Sequence, residues 1–445
     1  MKALLFFSRI LVGSLFIISG LIKANDPLGF SYKLNDYFAE SALNLVYLEP
    51  SSLILAMLAC IAEIVLGFAV LFGGKIKLTS WLLLLLIVFF GWLTFYTATC
   101  NPNDTYSVIE NSKEIQKNVT CVTDCGCFGD AMKGSLGRSL TPWESFVKDL
   151  ILLVLLIPIF IKRNSIRLND NKQDIIIFCG AIISMSFFSW VFSWYFPILF
   201  FVFSYLIYLI LKKVIKTEKK EWLIAIVITI LSFGFTYYCY YHLPIKDYRP
   251  YAIGKSIKEQ MEIPKGAQQP VYENTLVYKN LISGEVKEFS QSSYPWDDTT
   301  WVWQETKNKL IVKGFEPKIH DFKITDFDGN DYTADFLNDP DYIFLWISYD
   351  ISQTNKKAHL KFNTFAADCF KNGVSVIGLT ASPYNVTEDF RHETQTMFDY
   401  YSMDATTLKT MIRSNPGLIL IKKGQVINNW HYNDLPDFKD ALPKK

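Results

Sequence analysis

The chain has 445 residues, half of them hydrophobic, with 20% charged residues and a formal net charge of +1. A positive mean hydropathy (+0.18) beside that much charge divides it into a membrane part and a water-soluble part. The near-zero net charge argues against nucleic acid as a partner, and eight cysteines over this length are too few for a disulfide scaffold, so only their clustering is informative.

Met1 to Ala24 carries Lys2 and an apolar run through Ile22. That run exceeds the ~7–15 residues of a signal-peptide core, so it is read as an uncleaved first span, 3–22. Further runs of span length cover 52–72, 79–98, 143–161, 174–193, 195–211 and 222–241. Asp174 to Leu211 is too long for one crossing, and Pro197, after Ser193-Trp194-Tyr195, marks a reversal or a helix start. With seven spans, Lys2, Lys75, Lys77, Lys162, Arg163, Arg167, Lys172 and the lysines from Lys212 to Lys220 share one side. The positive-inside rule makes that side cytoplasmic; six spans would turn the 212–220 lysines outward. Residues 25–50, the loop 99–142 and everything after about 242 are then outside the cytoplasm. This describes a multi-pass bacterial inner-membrane protein, in contact with the lipid bilayer, whose C-terminal part is periplasmic.

Polar residues inside spans are costly and therefore functional candidates. Glu63 stands out, with Arg9 and Lys23 of the first span as partners; an ion pair packing two helices and a proton or ligand site are both open. Cys60, Cys179 and Cys239 lie singly in or near spans and read as small apolar fillers.

Cys100, Cys121, Cys125 and Cys127 crowd into the loop between the third and fourth spans. Outside the cytoplasm such cysteines tend to pair, and four of them admit three pairings. A bond across Cys125-Gly126-Cys127 would close a small ring and be easily reduced, suiting thiol exchange, with Cys100 or Cys121 as the resolving partner. Two inert disulfides pinning the loop are the other reading. The loop has no histidine and no zinc-type spacing, so no metal is expected. No cofactor is required, although a lipid-soluble quinone could accept electrons at this position.

Phe16-Ile17-Ile18-Ser19-Gly20-Leu21-Ile22-Lys23, Glu63-Ile64-Val65-Leu66-Gly67, and Cys125-Gly126-Cys127-Phe128-Gly129 before Trp143 together resemble the DoxX/MauE group. The resemblance covers about residues 1–162. It implies a four-helix membrane bundle linked to thiol redox or to maturation of periplasmic disulfide proteins. Residues 163–241, three further spans, fall outside it.

Residues 242–316 read as a periplasmic connector, with short strands at Leu276-Val277-Tyr278 and around Val286 and Phe289. Trp296, Trp301 and Trp303 are expected to cover a core or an interface. From 317 to 445 strands and helices alternate. Phe322–Asn330 is expected as a strand and turn, Tyr342–Ser348, Val374–Leu379 and Gly417–Ile421 as buried strands, and 356–371 and 386–400 as helical. A turn over Lys422-Lys423-Gly424-Gln425 precedes Val426-Ile427, and the whole reads as an α/β sandwich. This order resembles the thioredoxin-like fold, which implies a cis peptide at Asn415-Pro416 and a redox pair after Leu345-Trp346. The two family cysteines align with Asp350 and Gln353, so the domain has no nucleophile and is expected to be inactive. Cys369 reads as packing, His392 and His431 as isolated, and the groove beside Pro416 as a surface that could hold an extended peptide.

The fold class is thus a mainly α-helical integral membrane protein with a C-terminal α/β thioredoxin-like periplasmic domain. The leading function is thiol–disulfide redox or disulfide maturation, with the cysteine loop exchanging thiols and the C-terminal domain binding client proteins. The rivals are a non-enzymatic envelope assembly or binding protein with structural disulfides, and a small-molecule carrier using Glu63 and Arg9.

Overall fold

A computed structural model describes residues 2–443 apart from 111–112, 123–125, 127, 129, 218, 270, 292 and 313. Helix α1 (Lys2–Asn25) passes through Asp26 into the short α2 (Pro27–Phe38). Then come α3 (Ser52–Phe72) and α4 (Ile76–Thr99), a hairpin of β1 (Thr105–Glu110) and β2 (Lys113–Asn118), and α5 (Asp130–Leu136). Four long helices follow: α6 (Pro142–Ile161), α7 (Asn171–Val191), α8 (Phe196–Val214) and α9 (Lys220–Tyr241).

Among the described residues six helices are long and apolar enough to cross a membrane; α6 falls outside that set because Glu144, Lys148 and Asp149 interrupt its apolar run. It nevertheless runs the length of α4. Thr94 donates to Asp149 at 3.0 Å near one end, and Trp81 meets Phe160 edge-on at the other, centroids 4.8 Å apart. The long segment after Asp174 does divide: Ser193 takes φ +49, and Pro197 sits in the first turn of α8, where its missing N–H costs nothing.

Glycines set the closest contact of the bundle. A Cβ on Gly13 would lie 2.6 Å from Leu71, and one on Gly67 2.8 Å from the Gly13 carbonyl, so α1 and α3 touch backbone to backbone. The α7–α9 layer packs on this pair through stacked rings, Phe68 on Phe201 at 5.9 Å and Phe72 on Tyr208 at 3.8 Å. At the same end Asp174 accepts from Tyr208 (2.9 Å) and pairs with Lys212 (2.5 Å).

Connections α3/α4, α6/α7 and α8/α9 gather at one end of the bundle: Arg9 donates to Asn169 at 2.7 Å, and the Lys75 N–H to Glu221 at 2.7 Å. The opposite end carries α2, the cysteine loop and the exit from α9, where Asn25 donates to the Lys246 carbonyl at 2.7 Å.

Beyond α9, α10 (Ile257–Met261) precedes a three-stranded antiparallel sheet of order β4-β3-β5, from β3 (Val271–Asn280), β4 (Val286–Ser290) and β5 (Trp301–Val312). Trp296 and Trp303 do not cover a core, being 78% and 53% exposed, whereas Trp301 packs edge-on against Phe289. The final domain contains α11 (Thr333–Asn338), β6 (Tyr342–Ile347), α12 (Lys356–Lys371), β7 (Ser375–Thr380), α13 (Tyr384–Thr394), β8 (Tyr400–Ser402), α14 (Ala405–Met411), β9 (Gly417–Lys422), β10 (Gln425–His431) and α15 (Phe438–Ala441).

Its sheet runs β10-β9-β6-β7-β8, with β6/β7 and β7/β8 parallel and β6/β9 and β9/β10 antiparallel. Central β6 is buried on both faces, which is why it reads as an unbroken apolar run. Ile343, Leu345 and Ile347 face a core shared with Ile257, Leu337 and Leu408; Phe344 and Trp346 face one shared with Phe362 and Phe365. Ile257 and Tyr251, upstream of residue 317, thus belong to this core. Lys423 and Gly424 turn β9 into β10 at φ +49 and +72. The Phe322–Asn330 strand is not formed. Thr325 makes isolated bridges only, because Asp326 accepts from Asp328 N and Asn330 N and closes a turn.

Candidate functional site

Three features meet at the α2 end of the bundle. The first is the cysteine loop. Cys100, just past α4, is bonded to Cys121, Cα atoms 5.7 Å apart, so these two partner each other. Cys125 and Cys127 lie outside the described residues. Gly126 between them is buried at φ +66, and a Cβ on it would lie 3.5 Å from Lys33 of α2. Phe128 packs on Phe192 at 5.1 Å and comes within 5.7 Å of the Lys148 ammonium.

The second feature lies beneath Phe128: a cavity of about 40 Å³ lined by Lys23, Glu63, Lys148, Asp149, Phe16 and Phe90, among others. Lys23 Nζ is 2.5 Å from Glu63 Oε1 and 4.6 Å from the Phe90 centroid; Lys148 Nζ is 2.6 Å from Asp149. Glu63 Oε2 is buried without a hydrogen-bond partner among the described residues. The space suits about one water, whereas pockets for organic ligands run to roughly 300 Å³ or more.

Lys23 is therefore the partner of Glu63, and Arg9 is not. Arg9 lies at the other end, donating to the carbonyls of Val70 (3.0 Å) and Leu71 (2.9 Å) and closing the C-terminus of α3. A carrier built on Glu63 with Arg9 is excluded by that separation. Cys60 and Cys239 are buried as expected, while Cys179 is exposed on its helix.

The third feature is the contact with the C-terminal domain. Asp26 caps α2, accepting from Gly29 N at 2.9 Å, and also receives Arg413 Nε on both oxygens at 2.9 Å. Burial alone would raise the Asp26 carboxyl, but Arg413, with Arg249 behind it, holds it below the usual carboxylate range. Tyr32 and Tyr349 share a 3.0 Å hydroxyl contact. Between bundle and domain a chamber of about 610 Å³ remains, with Gly126 on its wall.

Asn415-Pro416 is cis, as the thioredoxin resemblance implies. Asp350 caps a 3-10 turn, Ile351–Gln353, accepting from Ser352 N at 2.9 Å. The Asn415 carbonyl, which would face a bound peptide, accepts from Asn355 N at 3.2 Å, and the Asn415 side chain donates to the Asp350 carbonyl at 2.8 Å. Pro416 is buried and Tyr349 abuts α2, so the groove is filled by the protein's own residues. Cys369 is fully buried, and burial pushes its thiol up to about 12. His431 is buried and accepts from Asn433 N, while His392 is exposed.

The sequence did not single out Asp26, Tyr32, Tyr349 or Arg413. Asp26 before Pro27 signals a helix start but says nothing of a partner 387 positions away. Lys148-Asp149 carried the same signal as Glu63, charge within an apolar run, and could have been found by it.

Solved structures similar to the C-terminal region include a Bacteroides thetaiotaomicron protein assigned as a disulfide isomerase (16% identity, 27% of this chain and 80% of that chain, TM-score 0.23). The thioredoxin domain of a Bacteroides vulgatus thiol-disulfide oxidoreductase (12%, 27% and 89%, 0.23) and Xanthomonas campestris peroxiredoxin Q (13%, 27% and 84%, 0.21) also match. It is the strand order and the cis-proline, not these partial matches, that make the domain thioredoxin-like. No curated protein sequence matches. Residues 272–313, which hold the β3–β5 sheet, match a family described as a domain of unknown function (DUF8463). Residues 1–102 of this multi-pass membrane protein match the family described as methylamine utilisation protein MauE.

Proposed function

We propose that the protein carries out thiol–disulfide exchange at the outer face of a bacterial inner membrane, with Cys125 and Cys127 as the exchanging pair and periplasmic proteins as clients. The observation that supports this is the Cys100–Cys121 bond, which sets those two cysteines apart from Cys125 and Cys127, the sequence neighbours of the chamber-lining Gly126. One thiolate attacks a client disulfide, forming a mixed disulfide and releasing a client thiolate; the second displaces the client and closes the loop disulfide. The basic connections at the opposite end of the bundle support a cytoplasmic placement for that end. Trapping thiols in whole cells tests the proposal. Mixed disulfides to Cys125 or Cys127 are expected; a loop whose cysteines are fully oxidised, with no adducts under reducing or oxidising challenge, overturns it.

One observation favours the non-enzymatic assembly reading. The thioredoxin-like site is filled from within and its domain is bolted to α2 through Asp26 and Arg413, as a fixed scaffold would be. Alanine at both Cys125 and Cys127 separates the two, since a scaffold keeps its function.

A further inference from the structure

Charge on the wall of the 610 Å³ chamber does not balance. Each carboxylate there has a partner: Asp26 and Asp130 face Arg413, Asp247 faces Arg249, Asp36 faces Lys33, and Asp321 lies 3.1 Å from His320. Lys246, Lys318 and Lys409 line the same chamber, and among the described residues none has a carboxylate within 4.0 Å. Lys409 rests over Tyr32 and Tyr349, its ammonium 5.2 and 6.0 Å from their centroids, and Lys246 lies 5.9 Å from that of Tyr248. The neighbouring Lys255 ammonium is held below its ordinary value by burial and by repulsion from Lys318 and Lys246, with Asp247 and Asp130 opposing. Among the described residues the chamber wall thus carries more basic than acidic side chains, its carboxylates being engaged with Arg413, Arg249, Lys33 and His320.

Size and lining point the same way. The chamber is within the range of about 300–1,000 Å³ typical of sites for organic ligands. Phe30, Tyr32 and Tyr251 give it apolar wall beside the ammonium groups. We propose that it binds a small organic oxyanion bearing two or more carboxylate or phosphate groups, held by Lys246, Lys318 and Lys409. The proposal does not depend on thiol exchange, because it is read by binding alone. If exchange also holds, the oxyanion is the acidic part of the molecule presented to the loop. The same chemistry is offered by a soluble acidic compound or by an anionic lipid headgroup.

The full-length protein in phosphatidylcholine nanodiscs, titrated at low salt with glutathione disulfide and with citrate, tests it. Saturable binding of at least one probe is expected, weakened about tenfold or more in Lys246→Gln/Lys318→Gln and in Lys409→Gln, and weakened by salt. Lys287→Gln on exposed β4 serves as the control and binds as the parent does. Binding that persists in discs containing cardiolipin, whose headgroup bears two phosphates, assigns the site to a soluble oxyanion; displacement there assigns it to the headgroup. Absence of saturable binding by both probes in the parent, or equal affinity in chamber variants that keep the parent's melting temperature, overturns the proposal.

Discussion

The membrane bundle and the C-terminal domain bury their polar groups in opposite ways. In the bundle, acidic and basic side chains are buried as matched pairs: Lys23 with Glu63, Asp174 with Lys212. In the domain, two buried histidines are kept neutral. His359 accepts from the Trp346 indole at 2.8 Å and contacts Thr396 at 2.6 Å, and burial pushes it down to about 4. His431 is likewise pushed down to about 4, chiefly by burial. Without water around it, a span carries a charge only beside its opposite. A domain in water can instead leave the proton outside. Asp26–Arg413 joins the two regions and follows the bundle's rule rather than the domain's.

The strongest way to break this contrast is to remove one member of the intramembrane pair. Lys23→Met should destabilise the bundle by about 3–5 kcal/mol through the uncompensated Glu63, while Lys23→Met/Glu63→Leu recovers most of it. Melting in nanodiscs reads both; a double variant no better than the single one would mean that Glu63 answers to more than Lys23.

Acid sharpens the same contrast. A histidine whose folded pKa lies below its unfolded value loses stability as pH falls from about 6.5 toward 4, because the unfolded chain takes the proton first. Each of His359 and His431 then contributes a loss of up to about 3 kcal/mol by pH 4. Hydrogen exchange should show the domain loosening over that window while the bundle does not, and His359→Gln should flatten the slope.

Smaller effects belong to the joint. Asp26→Ala should cost about 2 kcal/mol, combining a lost cap with an orphaned guanidinium, and should expose the Tyr349 region to protease. Tyr32→Phe removes one hydroxyl contact and should cost about 1 kcal/mol by the same assay.

What the sequence made legible follows from range. The spans declare themselves because lipid demands long apolar runs. Pro197 separates α7 from α8 by its own backbone chemistry, and β6 is visible because both its faces are covered. Where an outcome depended on a distant partner, the sequence was silent or misleading. Arg9 looked like an intramembrane ligand and is a cap for α3; Trp296 and Trp303 looked like core and lie in water. Asp350 and Gln353, read as standing where the family's cysteines are, bound a 3-10 turn. That Asn355 and α2 would fill their groove was not readable from residues that far apart.

Lys23 and Asp26 sit within one turn of chain, where α1 bends into α2. One grips the lipid-buried acid, the other grips the outer domain. Because α1 is locked to α3 through Gly13 and Gly67, it cannot slide to absorb a displacement. The bend thus holds, a few residues apart, the partner of the buried acid and one anchor of the outer domain.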